Sequence, residues 1–292
     1  MNLREYFRLL RPVQWTKNLF LFMPLIFSRH LFDVPYLLEA LAGFIAFSLI
    51  SSCVYIINDI FDRETDRAHP EKKNRPLAAG TVSMSGAMVL AVLLFAFAFL
   101  VAVPASKELA LIVGFYFILQ FFYSYRLKHI VILDIFIVAA GFMMRVVAGA
   151  EVIGVTISNW IVLCTMFLSL FLAVAKRRGE SVLAEKEGRD VKRKVLAEYD
   201  IRLIDQMMMI TSTGMAISYA LYTVAERTVK VFGTEYLIFT TVFVLFGIFR
   251  YFFLVFRKNV GENPVMVLLT DRPTFVNMTL WLLSCIALIY WK

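Results

Sequence analysis

Hydrophobic positions in this chain fall in long unbroken blocks, with neither the alternation of a half-buried strand nor the single stripe of a soluble amphipathic helix. A helix needs roughly 20 mostly apolar residues to cross about 30 Å of hydrocarbon, and blocks of that kind recur from end to end. They predict an all-α membrane bundle of about nine spans, at residues 18–32, 37–60, 84–103, 108–125, 131–150, 159–175, 206–225, 235–256 and 274–291. The first is the shortest and is interrupted at Pro24, so eight spans with a re-entrant first segment is the alternative. Ahead of it, the opening through Pro12 reads as a short amphipathic helix, with Leu3, Phe7 and Leu10 on one side and Arg4, Arg8 and Arg11 towards lipid headgroups. The polar loops at about 62–82, 176–205 and 257–273 are too short for a separate soluble domain, so residues 1–292 are expected to form one integral-membrane domain.

Charge orients the bundle. Arg4 to Lys17, Arg63 to Arg75, Arg126 with Lys128, Lys176 to Arg202, and Arg257 to Arg272 carry the basic residues of one side. The other side holds only Arg29, Lys107, Arg227, Lys230 and Lys292. Lys and Arg collect in cytoplasmic loops, so the N-terminus is expected inside, in an inner cell membrane, and an odd span count leaves the C-terminus outside. The composition agrees: 60% of residues are hydrophobic and 18% charged, against about 25% charged in a soluble chain. The net charge of +8 is spread between apolar blocks, which excludes a nucleic-acid module. Cys53, Cys164 and Cys285 and the three histidines are dispersed, so neither a disulfide framework nor a zinc site is indicated. No cleavable leader is read at the start, because the first apolar stretch lacks a small-residue cleavage pattern.

The candidate chemistry lies at the inner end of the second span. Asn58, Asp62 and Asp66 are spaced four apart, and Asp59 lies beside Asp62 and nearly in line with Asp66. Hard divalent cations take oxygen ligands, and Mg²⁺ uses one or two carboxylates plus substrate phosphates. Spacing alone leaves a second reading, an acidic helix end neutralised by Arg63 and Arg67. The next residues, His69 to Gly80, add Lys72 and Arg75 to Arg67, cations suited to phosphate.

The stretch NDIFDRETDRAHPEKKNRPLAAG resembles the first aspartate-rich motif and following loop of the UbiA-like prenyltransferase superfamily. That resemblance implies helices around a central cavity, with Asn58, Asp59, Asp62 and Asp66 holding Mg²⁺ against a diphosphate. The superfamily's aromatic prenyltransferases carry a second aspartate-rich motif on a later span. At that place this chain has Lys176-Arg177-Arg178-Gly179-Glu180, which suits a multiply phosphorylated donor instead. Arg11 to Asn18, Tyr123-Ser124 with Lys128 and Asp134, and Gly141 to Arg145 with Ala148-Gly149-Ala150 are similar to the decaprenyl-phosphate phosphoribosyltransferase branch. Gly261 to Pro264 and Asp271-Arg272 are weaker matches.

The branch moves 5-phosphoribose from phosphoribosyl diphosphate (PRPP) to a polyprenyl phosphate. The resemblance therefore implies PRPP and a polyprenyl phosphate lipid as substrates, and leaves a homo-oligomer open. Lys17 or Arg145 would meet the lipid phosphate, and Lys176, Arg177 and Arg178 the donor's 5-phosphate. Tyr123 could bond the donor or belong to the aromatic belt. Asp134 and Arg145 share a face of one span about 16 Å apart, so each is expected to meet partners on other helices. Arg250 lines a cavity or reaches the interface. Two other readings are carried: a prenyltransferase acting on a polyprenyl diphosphate, and a transporter or scaffold. The second lacks the repeated halves common among transporters.

Overall fold

The computed structural model describes residues 3–69, 72–186, 198–257 and 270–291, and among them every regular element is helical. They fall into two compact units: residues up to Ile137 with Gly141–Thr156, and Val138–Ala140 with the residues from Ile157 on.

In the first unit, α1 (Leu3–Leu10) is followed by a 3-10 helix, Pro12–Phe22, then α2 (Met23–Phe27), α3 (Val34–Phe61) and α4 (Arg63–Arg67). A short 3-10 turn at Lys72–Asn74 leads to α5 (Met84–Ala105), α6 (Lys107–Tyr125) and α7 (Leu133–Val152). The central helix is α3, which packs on α1, the 3-10 helix, α5 and α6. Its buried face carries small residues, Gly43, Ala46, Ser48, Ser51 and Ser52, which let its neighbours approach closely. The core here gathers Leu21, Leu25, Phe47, Ile50, Val113 and Ala148.

The 3-10 helix takes the place of the first expected span. Residues three apart eclipse in a 3-10 helix, so Trp15, Asn18 and Leu21 form one row. Trp15 Nε1 donates to Ser52 Oγ at 3.0 Å and Asn18 Nδ2 to Ser48 Oγ at 3.0 Å. Three residues of 3-10 helix and four of α-helix both rise about 6 Å, so the two polar rungs stay in register along α3. Leu21 is fully buried between Gly43 of α3 and Gly149 of α7. A Cβ on Gly149 would fall 2.0 Å from the Leu21 carbonyl oxygen, so only glycine fits there.

The second unit contains α8 (Asn159–Lys186), α9 (Ile201–Val224), α10 (Glu226–Phe232), a 3-10 turn at Tyr236–Thr240, α11 (Thr241–Arg257) and α12 (Arg272–Tyr290). Helices α8 and α9 pair closely, and α11 pairs with α12. Tyr219 is a buried hub, its hydroxyl 2.6 Å from Thr240 Oγ1 and accepting from Trp281 Nε1 at 2.8 Å.

Among the described residues, seven helices are long and apolar enough to cross a membrane. They match all the expected spans except two. The segment expected at 18–32 is the 3-10 helix with α2. The segment expected at 206–225 is α9, a full helix that is less apolar. Helix α8 continues eleven residues past Ala175, so Lys176, Arg177 and Arg178 sit on a helix and not at the start of a loop. Large apolar side chains such as Leu100, Leu111, Phe115, Val242 and Phe249 are exposed, as a lipid-facing surface requires. Cys53, Cys164 and Cys285 are free thiols.

Candidate functional site

Helix α3 stops at Asp62, whose φ of −89° and ψ of 0° leave the helical region. The backbone ladder nevertheless carries on into α4: Asp62 N donates to Asn58 O at 2.9 Å and Asp66 N to Asp62 O at 2.8 Å. The acidic row therefore stays together across a kink. It divides into two pairs.

One pair is Asp59 with Asp66, both almost fully buried. A single nitrogen, Arg75 Nη1, donates to Asp59 Oδ1 at 3.1 Å and to Asp66 Oδ2 at 2.6 Å. The Arg11 guanidinium donates to the same Asp59 oxygen. The other pair is Asn58 with Asp62, joined by Asn58 Nδ2 donating to Asp62 Oδ2 at 3.0 Å. Lys128, itself buried, places Nζ 2.5 Å from Asp62 Oδ1. It is delivered by the 3-10 turn Leu127–His129. The chain then passes through Ile132 at φ 70°, where Leu133 N donates to Val131 O at 2.8 Å. That tight turn is strained for a β-branched residue, and it starts α7 in the register that buries Asp134.

The neutralising cations are thus Arg75, Arg11 and Lys128. Arg63 and Arg67 instead clasp the loop that carries Arg75, their Nε atoms donating to Leu77 O at 3.3 Å and Ala78 O at 3.2 Å. Arg67 also pairs with exposed Glu64. Lys72 lies in the same loop, half-buried, its backbone N–H donating to His69 Nδ1 at 3.3 Å. Tyr123 is half-buried near the end of α6.

Deeper in this unit, Arg145 is 4% exposed. It donates to Asn18 Oδ1 at 2.7 Å, Gly141 O at 2.5 Å, Tyr116 OH at 3.0 Å and Ser51 Oγ at 3.3 Å. The rings of Phe47, Tyr116 and Phe142 surround its guanidinium. As expected, its partners come from other helices as well as its own; Asn18 and Arg145, far apart in the sequence, meet. Lys17 is half-buried beside Asn18 in the chain.

In the second unit, Arg177 pairs with Glu180, and Arg178 donates to Asp205 Oδ1 at 2.6 Å while stacking 4.3 Å over Phe256. Lys176, 45% exposed, lies 3.9 Å from Glu180. Arg250 forms a two-pronged pair with Asp271, at 3.0 and 2.8 Å. Asp271 also caps α12 through Thr274 N at 3.1 Å. Its carboxyl is held well below the usual carboxylate range, chiefly by the Arg250 hydrogen bond and then by Thr274. Gly261 to Pro264 lie outside the described residues.

The donor chemistry of the acidic pair fits Mg²⁺. Asn58, Asp59, Asp62 and Asp66 offer hard oxygen atoms, and two carboxylates already close on one cationic atom. Among the described residues no three acidic, histidine or cysteine side chains converge as a finished cage; Asp62 is paired with Lys128 and Asn58, whereas Asp59 and Asp66 share Arg75. Arg11 was not anticipated as part of this site. Its only sequence signal is its place at the head of the Arg11 to Asn18 stretch.

The geometry on hand is a helical bundle with seven helices of membrane-spanning length among the described residues, and buried aspartates neutralised by arginine and lysine at the end of one helix. The sequence pattern of the UbiA prenyltransferase family matches residues 19–283, and the chain belongs to that family. It is 32% identical to a decaprenyl-phosphate phosphoribosyltransferase of Mycolicibacterium smegmatis, over 97% of this chain and 91% of that one. It is 36% identical to the protein of the same name from Corynebacterium glutamicum, over 73% of this chain; the match spans 65% of the Corynebacterium protein. A UbiA homologue from Archaeoglobus fulgidus, solved with dimethylallyl diphosphate (DMAPP) and Mg²⁺, superposes with a TM-score of 0.71 at 19% identity, covering 99% of this chain and 100% of that chain.

Proposed function

We propose that this transferase moves 5-phosphoribose from PRPP to a polyprenyl phosphate and releases diphosphate. The observation that carries the reading is the convergence of Asp59 and Asp66 on one cationic atom, with Arg11, Arg75 and Lys128 around them. Carboxylates repel a bare diphosphate, so this mixture of buried acids and cations suits a metal-bound one. The similarity to phosphoribosyltransferases along nearly the whole chain supports ribosyl transfer over prenyl transfer. The lysines and arginines gathered in alternate loops support an inner-membrane protein with its N-terminus and this site on the cytoplasmic side.

In this reading Asn58, Asp59, Asp62 and Asp66 hold Mg²⁺, which would neutralise leaving-group charge. Arg67, Lys72 and Arg75 bind diphosphate oxygens, with Tyr123 and Asp134 lining the same end of the bundle. As the bond from ribose C1 to the diphosphate oxygen breaks, an oxygen of the lipid phosphate forms the new bond to C1. The bonding pair leaves with diphosphate. The attacking phosphate is already anionic, so no strong base is needed. Stabilising the departing charge with fixed cations is the main catalytic contribution. Arg145, with Lys17 adjacent in the chain to its partner Asn18, is the candidate for the lipid phosphate, because the four groups that accept from its guanidinium are neutral oxygens. Lys176 is the most exposed candidate for the donor's 5-phosphate, while Arg177 and Arg178 hold Glu180 and Asp205.

The test is label transfer by purified protein supplied with radiolabelled PRPP, polyprenyl phosphate and Mg²⁺. Labelled lipid that disappears with a chelator is the expected result. PRPP left intact while a polyprenyl diphosphate is consumed with an aromatic or lipid acceptor overturns the proposal in favour of prenyl transfer. Solute flux in proteoliposomes without lipid acceptor would favour a transporter.

A further inference from the structure

Arg11 reaches Asp59 from an unusual backbone position. Its φ of 53° and ψ of 58° are left-handed, a region non-glycine residues seldom enter and hold only when their surroundings impose it. The surroundings are on hand. Leu10 O accepts from Ser52 Oγ at 2.8 Å, and Trp15 Nε1 donates to that same hydroxyl. Helix α1 is anchored by buried Leu9. Glu5 Oε2 accepts from Thr81 Oγ1 at 3.2 Å, and Arg8 Nη2 donates to Asn74 O at 3.2 Å. The helix is thus strapped across the loop that carries Arg75, with Arg11 at its hinge.

Arg11 and Arg75 donate to the same Asp59 oxygen. Two carboxylates, Asp59 and Asp66, are balanced by two guanidiniums, and both guanidiniums keep some exposure, 23% and 26%. A divalent cation taking those carboxylates would free two positive charges beside it. An incoming diphosphate is the anion that would satisfy them. Once both have bound, the metal pairs with the carboxylates and the diphosphate with the released guanidiniums, so each buried charge has a partner of opposite sign, as a buried site demands.

We propose that Arg11 is a diphosphate-binding residue, stored on Asp59 until metal and diphosphate bind and then handed over to the leaving group. The strap formed by α1 sets its reach. Tyr55, whose ring lies 5.3 Å from the guanidinium, gives it a surface to swing against. This rests on the metal-diphosphate reading above and adds a residue and a sequence of partners to it.

The experiment measures binding to the full-length chain in detergent by calorimetry, first Mg²⁺ alone and then inorganic pyrophosphate at saturating Mg²⁺. Arg11→Gln should weaken pyrophosphate about 10- to 100-fold, the weight of a charge-assisted hydrogen bond. The same change should leave Mg²⁺ binding unchanged or tighter, because Asp59 has lost a competitor. Arg11→Lys should fall between, at about 3- to 10-fold. A purely structural Arg11 predicts the opposite pattern, with Mg²⁺ and pyrophosphate weakened together, and that result overturns the proposal. Pyrophosphate binding equal to wild type in folded Arg11→Gln also overturns it. Should Arg11→Gln not fold, Arg11→Lys carries the test, and no change in that variant overturns the proposal. Asp66→Asn separates the two readings. If it abolishes binding while Arg11→Gln does not, only the role of Arg11 falls. If wild type binds no pyrophosphate with Mg²⁺, both readings fall.

Discussion

Lys128 and Asp62 form an ion pair in which stability and chemistry can be pulled apart. Lys128 is 4% exposed and Asp62 18%, with Nζ 2.5 Å from Oδ1. Removing one member of a buried pair strands the other and costs about 3–5 kcal/mol. The two single variants should differ. Asp62→Asn strands an almost fully enclosed ammonium, so about 3 kcal/mol is expected. Lys128→Met strands a carboxylate that water partly reaches and that Asn58 still bonds, so about 1–2 kcal/mol is expected. Removing both charges should return stability to within about 1 kcal/mol of wild type, since a buried pair and an apolar replacement are often equivalent. Activity should not return with it, because the Asp62 carboxylate is missing. Equilibrium unfolding in mixed micelles reads the first quantity, and label transfer from PRPP the second. A double variant no more stable than additive single effects predict would refute the pair as described. A double variant that regained full activity would refute a chemical role for Asp62.

Three further outcomes follow from the geometry. Arg145→Ala removes four hydrogen bonds; at the roughly 0.6 kcal/mol each typical inside membrane proteins, about 2–3 kcal/mol should be lost. Arg145→Lys should recover less than half of that, because an ammonium cannot reproduce the planar fork, and a wild-type unfolding midpoint in the alanine variant would show the network to be idle. Gly149→Ala places a Cβ 2.0 Å from the Leu21 carbonyl oxygen and should cost at least about 1–3 kcal/mol as the 3-10 helix is pushed off α7; an unchanged melting temperature contradicts that close approach. Asp271 has its folded-state pKa depressed, so its stabilisation is complete above the unfolded carboxylate value and is lost as pH falls through the folded one. The melting-temperature gap between wild type and Asp271→Asn should be constant above about pH 5 and narrow below about pH 4, and a gap that widens on acidification would refute the assignment.

Hydrophobic blocks marked where lipid begins and ends, which is not always where a helix does. Helices α3, α5, α6 and α7 start within three residues of the expected boundaries. Helix α8 overran its block because Lys176 to Lys186, despite Gly179, is dominated by Lys, Arg, Glu, Leu and Ala, good helix formers whose charged members end the apolar run without ending the helix. The acidic row was legible because its two pairs, Asp59 with Asp66 and Asn58 with Asp62, are seven and four residues apart, distances that helical periodicity converts directly into proximity. Its partners were not. Arg11 and Lys128 lie 48 and 66 positions from the aspartates they meet, and such pairings are fixed by packing that no local pattern encodes. Arg145 announced itself as a charge inside an apolar block, while Ser51 and Tyr116, which hold it, look like ordinary members of theirs.

The eleven-residue 3-10 helix, continued by the five residues of α2, solves a problem of reach. At its larger rise per residue the combined segment extends roughly 30 Å, the thickness of the hydrocarbon layer, although an α-helix of the same length would stop well short. The economy has a strict condition. With three residues per turn, inserting a single residue before Asn18 would swing everything after it through a third of a circle, carrying the amide away from Ser48 and Arg145 together.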